Sequence, residues 1–539
     1  MKNKTFTVLI TSVMLPVGFC ATLKYWAFLH SCSIQDANWD VLKASLGVGL
    51  ICWLVMYNSI YHADPEEWSR KKQFSHPPVD KQLLHKVPCG IVFGKDSHTG
   101  RYVCQNTDRR GIAHELIIGG SGSGKSSSLI IPTLLVNQEK TVVAIDIKGE
   151  LSQKTVDLRK AIADGHVCIL NPNDRGLYGY DPLYELNSIP KPTTQQIVSV
   201  WQQIAVCLIN KSASEKDPYW NDSARNLCTG LGIYYYKEGH HEFIDVIDRI
   251  LGSPITEQVT EVLEKAKPTS PEYRYIVQYG DLTDDKGKVT LGTIFSNLGN
   301  KLTLFSNDSD LRYWLKTNPQ RCTPYTVFKE HRSIYITLRE EKLEVYAGLL
   351  KLLIDQLLRE AERQPDISGG NGESVLFVID ELPRILQSGK LNSLLSGTKT
   401  LRSKGVVLIM VTQSYSALQQ AYSRQEVDDL INNCEYIACL SAKDPATAKM
   451  VSAWCGKYLE RSISRQDGKN RSNSTSFSEQ TILTESDLLK LQESGELILI
   501  SPHGWNRIPK VPYFKDKNFK KIADEIQKSN DSYLKEAQQ

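Results

Sequence analysis

A chain of 539 residues is too long for one compact core, so two or three domains are expected. Its 64 lysines and arginines stand against 61 aspartates and glutamates, and the resulting +3 charge excludes a global field strong enough to imply nucleic-acid binding. The twelve cysteines form no C-x-x-C pair or His-flanked spacing, which argues against a metal cluster. All but Cys32 fall in segments expected in the membrane or the cytosol, as reduced thiols.

The first expected elements are two membrane spans. Thr5 to Leu23, TFTVLITSVMLPVGFCATL, carries no charge, and a second apolar run follows from Ala44 to Tyr61. Helices over about 5–29 and 41–61 are long enough for a hydrocarbon core of about 30 Å. Asp36 and Asp40 lie between the spans, whereas Lys2, Lys4, Arg70, Lys71 and Lys72 flank the outer ends, which places both termini in the cytoplasm. A cleaved signal peptide is the alternative, disfavoured because no A-x-A-like site follows the apolar stretch.

Next comes a short apolar strand, HELII at His114–Ile118, and then Gly119-Gly120-Ser121-Gly122-Ser123-Gly124-Lys125-Ser126, which matches G-x-x-x-x-G-K-[ST]. The glycines let backbone N–H groups turn inward around phosphates, Lys125 reaches the β and γ oxygens, and Ser126 offers its hydroxyl to Mg²⁺. Ser127 continues the cradle into the following helix. A second strand, VVAID, ends at Asp146, and Ile147-Lys148-Gly149-Glu150 after it reads equally well as a turn or as a catalytic loop.

From about Glu185 to Asn318 the strand pattern breaks into helical periodicity, as in TTQQIVSVWQQIAVCLIN. Trp220 and the Tyr234–Tyr236 cluster are expected in its core. Strands resume with VLFVID, ending at Asp380 with Glu381 directly after it. An acid at the tip of a buried strand holds Mg²⁺ through water, and the next carboxylate orients or deprotonates an attacking water. The strand VVLIMVT at Val406–Thr412 ends beside Gln413, placed to sense the γ-phosphate, while Arg402 at its foot is a candidate finger into a neighbouring subunit's site, with a solvated arginine as the alternative. The segment from Glu460 to Gln480 is too polar to pack and is expected as a mobile, solvated loop, with contact of Arg461, Arg465, Lys469 and Arg471 to DNA or lipid head groups as the alternative.

These residues resemble a known family, the TraG/TraD-like coupling ATPases of bacterial type IV secretion and conjugation, related more distantly to FtsK DNA translocases. Besides the P-loop, the resemblance runs through VVAIDIKGEL, GHVCILNP at Gly165–Pro172, YDPL at Tyr180–Leu183, DPYWNDSARNLCTGL at Asp217–Leu231, VIDELPRI, LRSKGVVLIMVTQS at Leu401–Ser414 and ELILISPHGWNRIPKVPYF. One departure is Ile147, where the family commonly has proline. The expected fold is α/β, a RecA-like P-loop NTPase core with an inserted all-α domain and two N-terminal transmembrane helices. Its parts are expected at about 1–65 (anchor), 66–184 and 319–515 (nucleotide-binding domain), 185–318 (helical insertion) and 516–539 (tail).

The resemblance implies an inner-membrane ATPase using ATP and Mg²⁺, working as a homo-oligomer of about six. It would pass relaxase-bound single-stranded DNA, protein effectors or both to a secretion channel. An FtsK-like double-stranded-DNA translocase is disfavoured because no winged-helix-sized module follows the motor, which ends near Phe514. A non-hydrolysing membrane receptor is disfavoured by the intact Lys125, Asp380, Glu381 and Gln413. An ABC transporter is disfavoured because no LSGGQ-like signature appears.

Overall fold

The alternation of apolar strands with helices produces a sheet covered on both faces in the computed structural model, which describes residues 78–537 apart from the short segments 108–112, 159, 162–164, 173–177, 210–217, 285, 318–319, 368–373, 388 and 467–471. The expected membrane spans, about 5–29 and 41–61, lie outside the described residues. Among the described residues no helix is long and apolar enough to cross a membrane.

Three strands, β1 (Leu84–His85), β2 (Ile91–Lys95) and β3 (Tyr102–Gln105), make a small antiparallel sheet in the order β1-β3-β2. The central sheet takes β4 (His114–Ile118), β5 (Val142–Asp146), β6 (Val167–Leu170), β7 (Ser333–Thr337), β8 (Val375–Ile379), β9 (Val406–Thr412) and β10 (Cys434–Cys439). A polar hairpin, β11 (Lys457–Gln466) and β12 (Ser472–Thr481), forms a two-stranded sheet of its own, and β13 (Glu496–Ser501) and β14 (Gly504–Pro509) complete the central sheet. Its order is β14-β13-β10-β4-β9-β8-β5-β7-β6. Every pair from β10 to β6 is parallel, and β13 and β14 are antiparallel additions at one edge.

Parallel strands covered on both faces must be apolar at every position, and β4, β5, β8 and β9 are buried throughout. Their period of two sends alternate residues to two cores. Val143, Ile145, Phe377, Leu408 and Met410 face a core continuous with Trp201, Leu227, Leu302 and Leu353 of the helices on that side. Ala144, Leu376, Val378, Val407 and Ile409 face the small sheet, the P-loop helix and Phe519.

Between β6 and β7 the described residues form helices, chief among them Thr194–Leu208, Tyr219–Lys237, Phe243–Gly252, Ile255–Lys265 and Lys288–Asn307, apart from an isolated bridge between Gly179 and Arg321. The first begins at a reciprocal cap: Gln196 N donates to Thr193 Oγ1 at 3.3 Å and Thr193 N to Gln196 Oε1 at 2.8 Å. It lies so close to the second that a Cβ on Gly232 would stand 2.2 Å from the Trp201 ring. Tyr234, Tyr235 and Tyr236 are buried and Trp220 packs against the same core, as expected.

One expectation is corrected. The Glu460–Gln480 segment is no mobile loop over its described residues but the antiparallel ribbon β11–β12, with cross-strand partners from Lys457↔Thr481 to Gln466↔Ser472. A backbone ladder satisfies its own N–H and C=O groups, so a polar sequence can pair without an apolar core. Within the C-terminal segment 516–539, Lys517–Ala537 is a helix with Phe519 and Ala523 buried. Its Asn530 donates to Val156 O at 2.8 Å, and Asp516 before it accepts from Lys95 at 2.7 Å and Tyr102 at 2.9 Å.

In mid-sheet, Glu115 on β4 is fully buried with no partner for either carboxylate oxygen among the described residues, and burial pushes its pKa up to about 8. Between the ordinary carboxylate value and about pH 8 the unfolded chain has lost this proton while the folded chain keeps it, so stability falls as pH rises through that window. Glu115→Gln should therefore raise the melting temperature more at pH 8 than at about pH 5. Each pH unit inside the window is worth about 1.4 kcal/mol. Thermal melts at the two pH values measure it, and a pH-independent gain would mean that the carboxyl is not held neutral.

Candidate nucleotide site

The P-loop leaves β4 between two neighbouring strands that hold its stem. Gly119 N donates to Thr412 O at 3.0 Å, Gly120 N to Ser441 Oγ at 2.9 Å, and Leu440 N to Ile118 O at 2.8 Å. Gly122 and Gly124 adopt φ of 71° and 89°, which only glycine takes without strain, so the motif's spacing follows from backbone geometry. Ser126 and Ser127 open the helical run that continues through Ile131–Val136 into the sheet's flank. Lys125 folds over the loop, donating to Gly119 O at 2.7 Å and Gly120 O at 3.1 Å. Burial lowers its pKa, and Asp380 and Glu381 partly offset this.

Asp380 follows β8 and Asp146 ends β5, and because Ile145 pairs with Ile379 these acids stand on adjacent strand tips. Burial, then Glu381 and Asp146, push Asp380 up to about 6, against the pull of Lys125 and Lys148. Asp146 is fully buried; Oδ2 accepts from Ser152 N at 2.8 Å, and Oδ1 has no partner among the described residues. Glu381 is held at φ 56°, a left-handed conformation rare outside glycine and a mark of a functional position. Lys148 donates to its Oε1 at 2.8 Å, while Arg384 Nε stands 2.7 Å from Oε2, close enough to pair in charge without hydrogen-bond alignment.

Gln413 is exposed directly after β9, the strand between the P-loop strand and β8. Lys125, Ser126, Asp380, Glu381 and Gln413 thus share the carboxyl edge of three adjacent parallel strands. Arg402 does not join them. It precedes β9 at the opposite edge, 58% exposed, and pairs with Glu435 at 3.0 Å.

Sequence reasoning left Asp146 open and passed over Lys148 and Arg384. It also missed the closing strap, where Lys510 Nζ donates to Ser123 O at 3.2 Å and Tyr513 N to Ser127 O at 2.8 Å. Lys148 stands two residues beyond a strand end, the same signal that exposed Glu381, but only the strand order makes β5 and β8 neighbours.

The residues fit a divalent cation held with a polyphosphate. Three carboxylates crowd adjacent strand tips, and their repulsion contributes to the raised pKa of Asp380, which a cation would relieve. Among the described residues no group of three or more His, Cys, Asp or Glu side chains encloses a metal alone. Phosphate and water oxygens would complete the shell around Ser126 and Asp380.

The family model described as type IV secretory system conjugative DNA transfer matches residues 70–536. The chain is 23% identical over 506 residues to protein VirD4 of Agrobacterium fabrum, covering 90% of this chain and 70% of that one. It is 22% identical over 458 residues to the type IV secretion system-coupling protein VirD4 of Bartonella henselae, covering 81% and 69%. Among solved structures, the bacterial conjugative coupling protein TrwB lacking its N-terminal segment superposes with a TM-score of 0.56 at 18% identity, over 74% of this chain and 84% of that one. TrwB is also solved with the ATP analogue ADPNP and with ADP and Mg²⁺. The superposition establishes the α/β, RecA-like core, and with a family match spanning almost the whole described chain, the protein belongs to the type IV secretory system conjugative DNA-transfer family, the VirD4/TraG coupling proteins.

Proposed function

We propose that this coupling ATPase binds Mg²⁺ and ATP at the P-loop and uses hydrolysis to drive relaxase-bound single-stranded DNA, protein effectors or both into a secretion channel. The observation that carries the reading is the placement of Lys125, after β4, near Asp380 and Glu381, after β8, at one edge of three neighbouring parallel strands. Backbone N–H groups of Gly119–Gly124 cradle the phosphates, and Lys125 neutralises their β and γ oxygens. Ser126 and Asp380 would hold Mg²⁺, which would supply charge to offset the negative charge on the leaving phosphates. A water oxygen bonds to the γ-phosphorus as the bond to the bridging oxygen breaks; its proton passes to Glu381, and ADP leaves with the bridging oxygen. Gln413 reads the γ-phosphate from the middle strand. A match to conjugative DNA transfer does not favour the double-stranded-DNA translocase or the non-hydrolysing receptor.

The finer reading is a ring of about six chains on the bacterial inner membrane, anchored by two spans within residues 1–65, with cargo meeting the helices between β6 and β7. A strain lacking the chain should lose transfer and regain it with the full-length protein. The form without residues 1–65 should leave the membrane fraction on alkaline washing and fail to restore transfer. Undiminished transfer in the deletion strain would end the functional reading, and an integral truncated protein would end the anchor.

A further inference from the structure

A base needs an open oxygen, yet both oxygens of Glu381 face cations. Arg384, next to Oε2, is anchored in turn on Glu340. Lys148, on Oε1, comes from a separate element, the turn between β5 and the helix Glu150–Thr155. That turn is closed by Gly149 N donating to Asp146 O at 3.1 Å, with Gly149 at φ 69°. On its β6–β7 side the turn borders a cavity of about 360 Å³ lined by Lys148 itself with Gly149, Ser152, Thr337, Arg339 and Glu340, so Lys148 is not packed in on that side. The Lys148 side chain is 44% exposed while that of Glu381 is 11% exposed, so the lysine reaches its carboxylate from the solvent side and can leave it without crossing packed core.

We propose that Lys148 is a further catalytic residue, a cation that leaves Glu381 for the oxygens of the transferring γ-phosphoryl group. One exchange of partners then does two things: it frees Oε1 of Glu381 to take the water's proton, and it brings positive charge to the group that needs it in the transition state. The glutamate stays masked until a γ-phosphate offers Lys148 a stronger partner, which limits idle hydrolysis. The inference rests on reading the site as one that hydrolyses ATP.

The test uses the full-length protein with Lys148→Ala, Lys148→Gln and Lys148→Arg, alone and with Glu381→Gln. Steady-state hydrolysis of Mg-ATP, binding of a non-hydrolysable ATP analogue, and retention of ADP with fluoroaluminate, which mimics the transition state, are measured for each. Lys148→Ala and Lys148→Gln should lower kcat by about 10²-fold or more while analogue affinity stays within about threefold. Fluoroaluminate retention should fall by about tenfold or more, also in the Glu381→Gln background, and Lys148→Arg should restore part of both. Wild-type kcat in Lys148→Gln would overturn the proposal. So would equal loss of analogue and fluoroaluminate binding, which marks a structural role. A fluoroaluminate defect that vanishes beside Glu381→Gln would overturn it as well, leaving Lys148 as a positioning residue. Lys125→Ala in the same assays guards the premise: if it still hydrolyses ATP normally, the nucleotide site itself is misassigned.

Discussion

Lys125→Ala should lower ATP turnover by on the order of 10² to 10³ or more and abolish transfer, at normal protein levels and with an unchanged or higher melting temperature. Loss of function follows from removing the cation that faces the β and γ phosphates. The stability expectation follows from linkage. Burial holds the folded pKa of Lys125 below its ordinary value, so at neutral pH the fold disfavours the charged form that the unfolded chain carries freely. Its two hydrogen bonds, to Gly119 O and Gly120 O, return only part of that cost. An alanine therefore relieves strain that the site keeps for its ligand. Turnover assays and thermal melts on the same preparation check both halves; wild-type turnover would remove the P-loop from the mechanism, and a large drop in melting temperature would show that the lysine holds the fold.

Arg402→Ala and Glu381→Gln chains should each bind ATP yet turn it over about 10³-fold or more below wild type, and mixing them should restore part of the activity. The sheet explains why the arginine must act on a neighbour. Arg402 precedes β9 and Gln413 follows it, and the seven residues of the strand between them alone span about 20 Å at roughly 3.3 Å each, so the guanidinium cannot reach its own chain's phosphates. Its pair with Glu435 is exposed, worth about 1 kcal/mol or less, and gives way readily to a phosphate. In a mixed ring, an Arg402→Ala chain keeps its own Glu381 and can borrow Arg402 from a Glu381→Gln neighbour, which completes that junction. No recovery in rings shown to contain both chains would remove Arg402 from this role and leave the P-loop assignment untouched.

The parts of the site that were legible are those whose chemistry is local. Gly122 and Gly124 are glycines because the phosphate turn needs positive φ, and that requirement is written within eight consecutive residues. The tip acid Asp380 and Glu381 after it stood out because a fully apolar strand ending in two carboxylates has few structural reasons to exist. Polarity misled at β11–β12, where paired backbones need no apolar side chains. At the C-terminus the sequence reads only as a tail, and the helix Lys517–Ala537 buries Phe519 and Ala523 beneath many charges.

The sequence by itself determined a glycine-rich P-loop after a buried strand, two carboxylates in succession at a strand tip and a sheet of buried parallel strands, because each is a rule about neighbours along the chain. Only the tertiary structure decided which strand tips stand side by side. Placing β5 next to β8 joins Lys148 to Glu381 across 233 positions and crowds Asp146 against Asp380, while β9 carries Arg402 to the far edge. Strand order is set by which faces the helices can cover, a global packing problem in which no single segment states its partner.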